Sequence, residues 1–289
     1  MIDLHTHSIY SDGTNSPSEL LKMAEKRGLR ALALTDHDTV AGIAELLAAG
    51  KESKVEPIPG IELSAACENG TMHILGYFID PASPALAEML TKVRAGRTAR
   101  NLEILKKLNR LGYVLRWSDL EEYTGKDVVG RPHFAEVLVK RGYVKSKKAA
   151  FDLLLAKGRP AYAERYHCTA TECIGYIRAA GGIAVLAHPA TIHLSDPKLR
   201  SLVGELAEQG LGGIEVYYAE HRPENRKKFI GWAKELGLLC TGGSDFHGEN
   251  SPDLKLGTGF GQLHVPDEAL EELKAQVQAS LREPIERSS

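Results

Sequence analysis

Apolar and polar positions alternate in short blocks along most of the chain. Ile2–Leu4 reads as a short strand running into His5-Thr6-His7. Ser16-Pro17-Ser18-Glu19 then reads as an N-cap, a proline at the first helical position and a capping-box glutamate, ahead of a helix closed by Gly28. Ala31–Leu34 predicts a buried strand, Val40–Ala49 a helix, and Val55–Leu63 and Met72–Phe78 two more strands. Thr169-Ala170-Thr171-Glu172 repeats the capping box before a helix ended by Gly181-Gly182. Strand Ile183–Ala187, helix Leu199–Gln209, strand Gly213–Tyr217, helix Glu224–Leu236, strand Leu238–Thr241 and helix Asp267–Ala279 follow.

This β/α alternation is interrupted once. From Ala85 to Arg165 the strand signal disappears and helical patterns replace it, over Ala85–Leu111, Pro132–Arg141 and Lys147–Leu155. The expected organisation is therefore a barrel built from residues 1–84 and 166–289, with residues 85–165 inserted as a helical cap.

Composition narrows the class. With 43% hydrophobic and 26% charged residues in 289, the chain has enough apolar mass for a core, which excludes wholesale disorder. No apolar run approaches the roughly 18 residues of a membrane span. Nothing near Met1 resembles a basic stretch followed by an apolar signal region. Cys67, Cys168, Cys173 and Cys240 form no C-x-x-C pair, so neither a disulfide framework nor a zinc ribbon is expected. A reduced cytoplasmic protein is the expectation, with no membrane association and no stable protein partner inferred.

Charge alters that picture. The net value of −2 hides an asymmetry: residues 91–165 hold 18 Lys+Arg against 8 Asp+Glu, leaving 18 basic and 30 acidic residues elsewhere. A basic helical stretch is often only a solvated face. It is also what a lid over an anionic substrate needs.

The chemically active residues fall at strand ends. His5 and His7 follow the first strand, Asp36-His37-Asp38 the second, and Glu62 closes the third. His73 lies in the fourth, His188 ends the fifth, Glu215 and Tyr217 lie in the sixth, and Asp245 and His247 follow the last. In a parallel barrel the C-terminal strand ends share one face, and that face carries the active site. Residues i and i+2 of extended chain project to one side, so His5/His7 and Asp245/His247 can each aim two ligands at one place. So many imidazoles and carboxylates exceed the needs of one ion. Two or three divalent ions are expected, bridged by a carboxylate such as Glu62, and a ligand set without thiolate suits Mn, Zn or Fe.

The order His-Thr-His-Ser…Ser-Asp-Gly, Ala-Leu-Thr-Asp-His-Asp, Gly-Ile-Glu-Leu-Ser, His73, Ala-His-Pro and Gly-Ser-Asp-Phe-His resembles the PHP (polymerase and histidinol phosphatase) superfamily, and within it the TrpH-like phosphoesterases. The resemblance implies an α/β fold, a distorted (β/α)7 TIM-like barrel with its metal centre at the strand C-termini. It also implies a trinuclear site. His5, His7, Glu62 and Asp245 would hold one ion. Asp12, His37 and His247 would hold a second, Asp12 standing where other family members place His. Glu62, His73 and His188 would hold a third. Asp36 and Asp38 are read as partners orienting His37, Asp38 alternatively as a cap of the following helix.

A multinuclear centre suits hydrolysis of a phosphate ester by a metal-activated hydroxide, without a covalent phosphoenzyme. The absence of a Gly-x-Ser-x-Gly motif fits. Arg131 and His133, at the start of an expected helix, are candidates for binding a substrate phosphate, with Lys157, Arg159 and Arg165 for a second. His221 is the candidate for protonating the leaving oxygen, beside Asp245 as the other candidate catalytic residue. His167, His193 and His264 match no motif. Family resemblance points to a nucleotide or short oligonucleotide substrate: 3′,5′-bisphosphonucleotides of the pAp type, or 5′-phosphorylated short RNA trimmed 5′→3′. The alternatives are a histidinol-phosphate phosphatase, a non-phosphate amidohydrolase and a non-catalytic polymerase-accessory module.

Overall fold

A computed structural model describes residues 1–121, 129–164 and 166–282. The chain divides into two compact units, Met1–Met89 with Cys168–Ser289, and Leu90–His167.

The first unit is built on one seven-stranded sheet in sequence order: β1 (Ile2–Asp3), β2 (Ala31–Leu34), β3 (Glu56–Ala65), β4 (Met72–Tyr77), β5 (Ile183–Leu186), β6 (Gly213–Tyr218) and β7 (Leu239–Gly243). The sheet curls until its edges meet. Leu4 N–H donates to the Gly242 carbonyl at 3.2 Å, and Thr6 pairs with Phe246. Closure requires glycine here: a Cβ on Gly243 would lie 2.3 Å from the His5 nitrogen and 2.4 Å from its Cβ.

Not every strand is parallel. β4 runs antiparallel to both β3 and β5, because only residues 66–71 separate it from β3. A connection that short makes a hairpin and leaves no room for a crossover helix. His73, second residue of β4, is thereby carried to the end of the barrel reached by the C-termini of the parallel strands.

Helices α1 (Pro17–Lys26) and α2 (Ile43–Gly50) connect the first strands. In α1, Ser16 Oγ accepts from Glu19 N–H at 3.2 Å, and the Glu19 carboxylate accepts from Ser16 N–H at 2.8 Å. α3 (Pro84–Arg110) carries the chain into the second unit, which also holds α4 (Ser118–Glu121), α5 (Arg131–Lys140) and α6 (Lys147–Ala150), the last running into a π turn over Phe151–Leu155. This unit has its own core, centred on Ile104, Leu108, Phe134, Leu138 and Leu155. The first unit resumes with α7 (Ala170–Ala179), α8 (Asp196–Glu208), α9 (Pro223–Leu236) and α10 (Glu268–Arg282). Ile2, Leu4, Leu75, Tyr77, Val185 and Leu270 are among the residues of its core.

No helix among the described residues is long and apolar enough to cross a membrane.

Candidate metal centre

Backbone pairing assembles the site before any side chain is considered. Beyond β1 and β7 the two chains keep pairing: Asp245 N–H donates to the His5 carbonyl and His7 N–H to the Phe246 carbonyl, each at 2.9 Å. That ladder sets His5 and His7 beside Asp245 and His247. Beyond β2, Asp38 N–H donates to the Glu62 carbonyl at 2.9 Å and Glu62 N–H to the Asp36 carbonyl at 3.2 Å, so His37 stands against Glu62. Beyond β5, Ala187 N–H donates to the His73 carbonyl at 3.1 Å, which brings up His188.

Glu62 is fully buried at the centre. Its Oε1 lies 2.8 Å from His73 Nδ1 and 3.0 Å from His188 Nε2. Its Oε2 lies 2.9 Å from His37 Nδ1 and 3.3 Å from Nε2 of both His5 and His7. Asp245 Oδ1 lies 3.0 Å from His7 Nε2 and 3.3 Å from His5 Nε2. Asp12 joins from a more open loop, 3.2 Å from His247 Nε2, 3.7 Å from His7 Nδ1 and 3.8 Å from His37 Nε2. Three overlapping groups result, the ligand atoms of each within 4.8 Å of one another: His5, His7, Glu62, Asp245; His7, Asp12, His37, His247; and His37, Glu62, His73. The third differs from the expected trio in drawing on His37, with His188 reaching only the Oε1 side of Glu62.

Only Glu62 Oε1, with His73 and His188, is taken up by hydrogen bonds within the Glu62-centred cluster of described residues. His5 Nε2, both ring nitrogens of His7, His37 Nδ1 and Glu62 Oε2 are buried without a hydrogen-bond partner among the described residues. An unsatisfied buried polar atom costs roughly 1–3 kcal/mol. Several such nitrogens and a carboxylate oxygen, spread over these overlapping groups, fit cation ligands, and the purely N/O donor set suits a first-row divalent ion.

Electrostatics point the same way. Burial pulls the His5 imidazole down, but Glu215, Asp245 and Glu62 outweigh it and raise it well above its ordinary value. His37 and His247 are likewise raised, against burial, by Glu62 and by Asp12 respectively. Burial would raise Glu62, yet His37, His73 and His5 hold it well below the carboxylate range. Asp245 is held low against burial by His5 and His7. His73 is instead lowered, by burial first and by His37 and His188. The pocket thus has a strong preference for added positive charge, which divalent ions supply through the nitrogen lone pairs.

Asp36 and Asp38 do not orient His37. Asp36 accepts from Ser8 N–H and Ser8 Oγ, each at 2.7 Å, and from Ser11 Oγ at 2.6 Å. Asp38 accepts from Ser64 N–H at 2.9 Å and Ser64 Oγ at 3.1 Å, and the following helix is capped at Gly42 without it. These aspartates pin the adjoining segments, Asp36 holding the loop that leads to Asp12.

Two supporting residues complete the cluster: Glu215, singled out in the sixth strand by sequence but without a role, and Tyr218, which sequence passed over for its neighbour Tyr217. Glu215 receives His5 Nδ1 at 2.8 Å, and Tyr218 donates its hydroxyl to Asp245 Oδ2 at 3.1 Å. A glutamate inside the apolar run Gly-Ile-Glu-Val was the signal for the first. Burial raises the Tyr218 phenol, as does the Asp245 charge, so it stays a donor.

The other candidates are placed as follows. His221 is 4% exposed, donates Nδ1–H to the Val216 carbonyl at 3.0 Å, and packs between Tyr218 and Phe229. Burial lowers it, so the ring is neutral near pH 7 with a lone pair on Nε2. Arg131 opens α5, its guanidinium over the Tyr162 ring at 5.4 Å and its Nη1 donating to the Leu155 carbonyl at 3.4 Å. His133, two residues on, accepts the Gly130 N–H at Nδ1, 2.8 Å away. Lys157 and Arg159 lie in the turn after the π turn. Arg165 lies outside the described residues.

Comparison with known proteins agrees with this architecture. The PHP domain family model matches residues 3–180. The chain is 36% identical over 261 residues to a 3′,5′-nucleoside bisphosphate phosphatase of Chromobacterium violaceum, covering 88% of this chain and 90% of that one. It is also 36% identical over 245 residues to a 5′-3′ exoribonuclease of Haemophilus influenzae, covering 85% and 89%. A solved structure from Bifidobacterium adolescentis, described as a metal-dependent phosphoesterase, superposes with a TM-score of 0.79 at 30% identity and covers 95% of each chain. The chain belongs to the PHP domain family.

Proposed function

We propose that this protein is a metal-dependent phosphoesterase that hydrolyses a phosphate ester of a nucleotide, either a 3′,5′-bisphosphonucleotide or a short 5′-phosphorylated RNA. The observation that carries the reading is the convergence of His5, His7, His37, His73 and His188 on the single buried carboxylate of Glu62, with several of their nitrogens left unbonded. His5, His7, Glu62 and Asp245 are proposed to hold one ion, Asp12, His37 and His247 a second, and Glu62, His73 and His188 a third.

Bound divalent ions supply an acidified water and neutralise charge on the phosphoryl group. The chain's own residues set the geometry. Glu62 is shared by two of the three groups, Asp245 presents one oxygen because Tyr218 occupies the other, and Asp36 fixes the loop before Asp12. His221 is proposed to meet the leaving oxygen through Nε2, with Nδ1 anchored on the Val216 carbonyl. Arg131 and His133, with Arg165, are proposed phosphate-binding residues. The excess of basic residues over 91–165 supports a substrate with more than one phosphate. The relatives named for a bisphosphate nucleoside and for RNA support the same substrate class.

The test is phosphate release with Mn²⁺ added, comparing pAp, AMP, histidinol phosphate and a 5′-phosphorylated pentaribonucleotide. Turnover of pAp or the RNA well above AMP is the expected outcome. Activity on histidinol phosphate alone would overturn the substrate assignment, and inactivity on all four would overturn the phosphoesterase reading.

A further inference from the structure

We infer that Glu215 is a positioning residue that holds two ligands of the proposed metal centre at once, His5 through its ring and His188 through its backbone; this rests on the metal-centre reading above. Glu215 sits inside β6 between Ile214 and Val216, and all three are fully buried. Nothing about the strand calls for a charge, and burying one is unfavourable unless each oxygen is engaged. Both are. Oε1 lies 2.8 Å from His5 Nδ1, and Oε2 accepts the backbone N–H of His188 at 2.7 Å.

Each contact fixes something a ligand needs. A carboxylate offers only acceptors, so His5 carries its proton on Nδ1 and keeps a lone pair on Nε2. Nε2 is the nitrogen that faces Glu62 Oε2 and Asp245 Oδ1, at 3.3 Å each. His188 has φ 26° and ψ 62°, in the left-handed region that non-glycine residues avoid. Its N–H bond to Glu215 holds that turn, from which Nε2 reaches Glu62 Oε1 at 3.0 Å. Thus one side chain of the sixth strand ties a ligand after the first strand to a ligand after the fifth.

The decisive variant is Glu215→Gln. Its amide must place NH₂ either against His5 Nδ1, driving the ring proton to Nε2, or against the His188 N–H, where two donors meet. Mn²⁺ and Zn²⁺ binding would be titrated calorimetrically, with metal content counted, in E215Q and the unaltered protein side by side. The ions held through His5 and His188 should bind about 10- to 100-fold more weakly. The ion held by Asp12, His37 and His247 should keep its affinity, so bound metal falls without vanishing. Equal affinity in both proteins would overturn the role of Glu215 while leaving the metal centre standing. Absence of binding by the unaltered protein would overturn the metal-centre reading, and this inference with it. Should E215Q fail to fold, ¹⁵N-histidine spectra of the unaltered metal-loaded protein decide: a proton on His5 Nδ1 supports the inference, and a proton on Nε2 overturns it.

Discussion

The hydroxyl of Tyr218 donates to Asp245 Oδ2 at 3.1 Å, while the other oxygen of that carboxylate faces His5 and His7. Asp245 itself has φ 57°, a strained backbone for aspartate. Its orientation therefore depends on being held from outside the ligand cluster.

Replacing Tyr218 by Phe removes a hydrogen bond to a charged acceptor, worth about 1.5–3 kcal/mol. Tyr218→Phe should weaken ion binding roughly 10-fold. Thermal stability measured with chelator present should fall by no more than that hydrogen bond is worth, because the ring still packs against His188 and His221. Unaltered metal affinity would show that Asp245 needs no such support.

Gly243 tests how the barrel closes. A methyl group there would collide with the backbone and Cβ of His5. Gly243→Ala should destabilise the protein by about 1–3 kcal/mol through overpacking and also lower its metal content, since His5 must move. Urea denaturation and metal analysis of the variant check both effects.

Glu45 on α2 carries a pH-dependent contribution away from the metal centre. Its carboxylate accepts from Ser18 N–H and Oγ in the first turn of α1 and from the Tyr10 hydroxyl. Burial would raise its pKa, but these hydrogen bonds lower it below 4.5. A depressed folded-state value stabilises the protein fully above the unfolded value and loses that effect as pH falls through the folded one. Glu45→Gln should therefore cost roughly 1 kcal/mol at pH 7, discounted for partial exposure. The difference from the unaltered protein should shrink below pH 4.5. A pH-independent difference in urea midpoint would contradict it.

His221 makes a kinetic prediction. Its pKa lies below the usual 6.5 because of burial, so the protonated fraction falls steadily on the alkaline side. If it donates the proton, the ratio of unaltered to His221→Asn activity should be largest near pH 6 and smaller at pH 8. A ratio constant with pH would remove it from proton transfer.

Much of this architecture is legible in the sequence, and the gaps have physical causes. Ala31–Leu34 matches the observed β2 because a short apolar run before Thr-Asp-His has few other uses. The direction of β4 was not legible from its residues, since a strand pattern reads alike both ways. Only the brevity of residues 66–71 betrays the hairpin. The helix over Ser118–Glu121 is too short to show a periodicity. The candidate ligands stood out because histidine and acid at strand ends are conspicuous. Their supports were less legible: Glu215 stood out as an acid within a strand, but its role, like that of Asp3, shows only when its partners, His188 N–H or Ser244 N–H, are seen. Assigning Asp36 and Asp38 to His37 followed chain adjacency, whereas their carboxylates are taken up by serines of neighbouring segments.

Tyr77 at the end of β4 and Ile183 at the start of β5 are register partners, although the whole second unit lies between them in sequence. The excursion begins and ends on a two-strand stem whose pairing is independent of what hangs from it. Lengthening a loop already closed at its base adds little entropy. Lineages could trade this cassette while His5 through His73 and His188 through His247 stay on an unchanged frame.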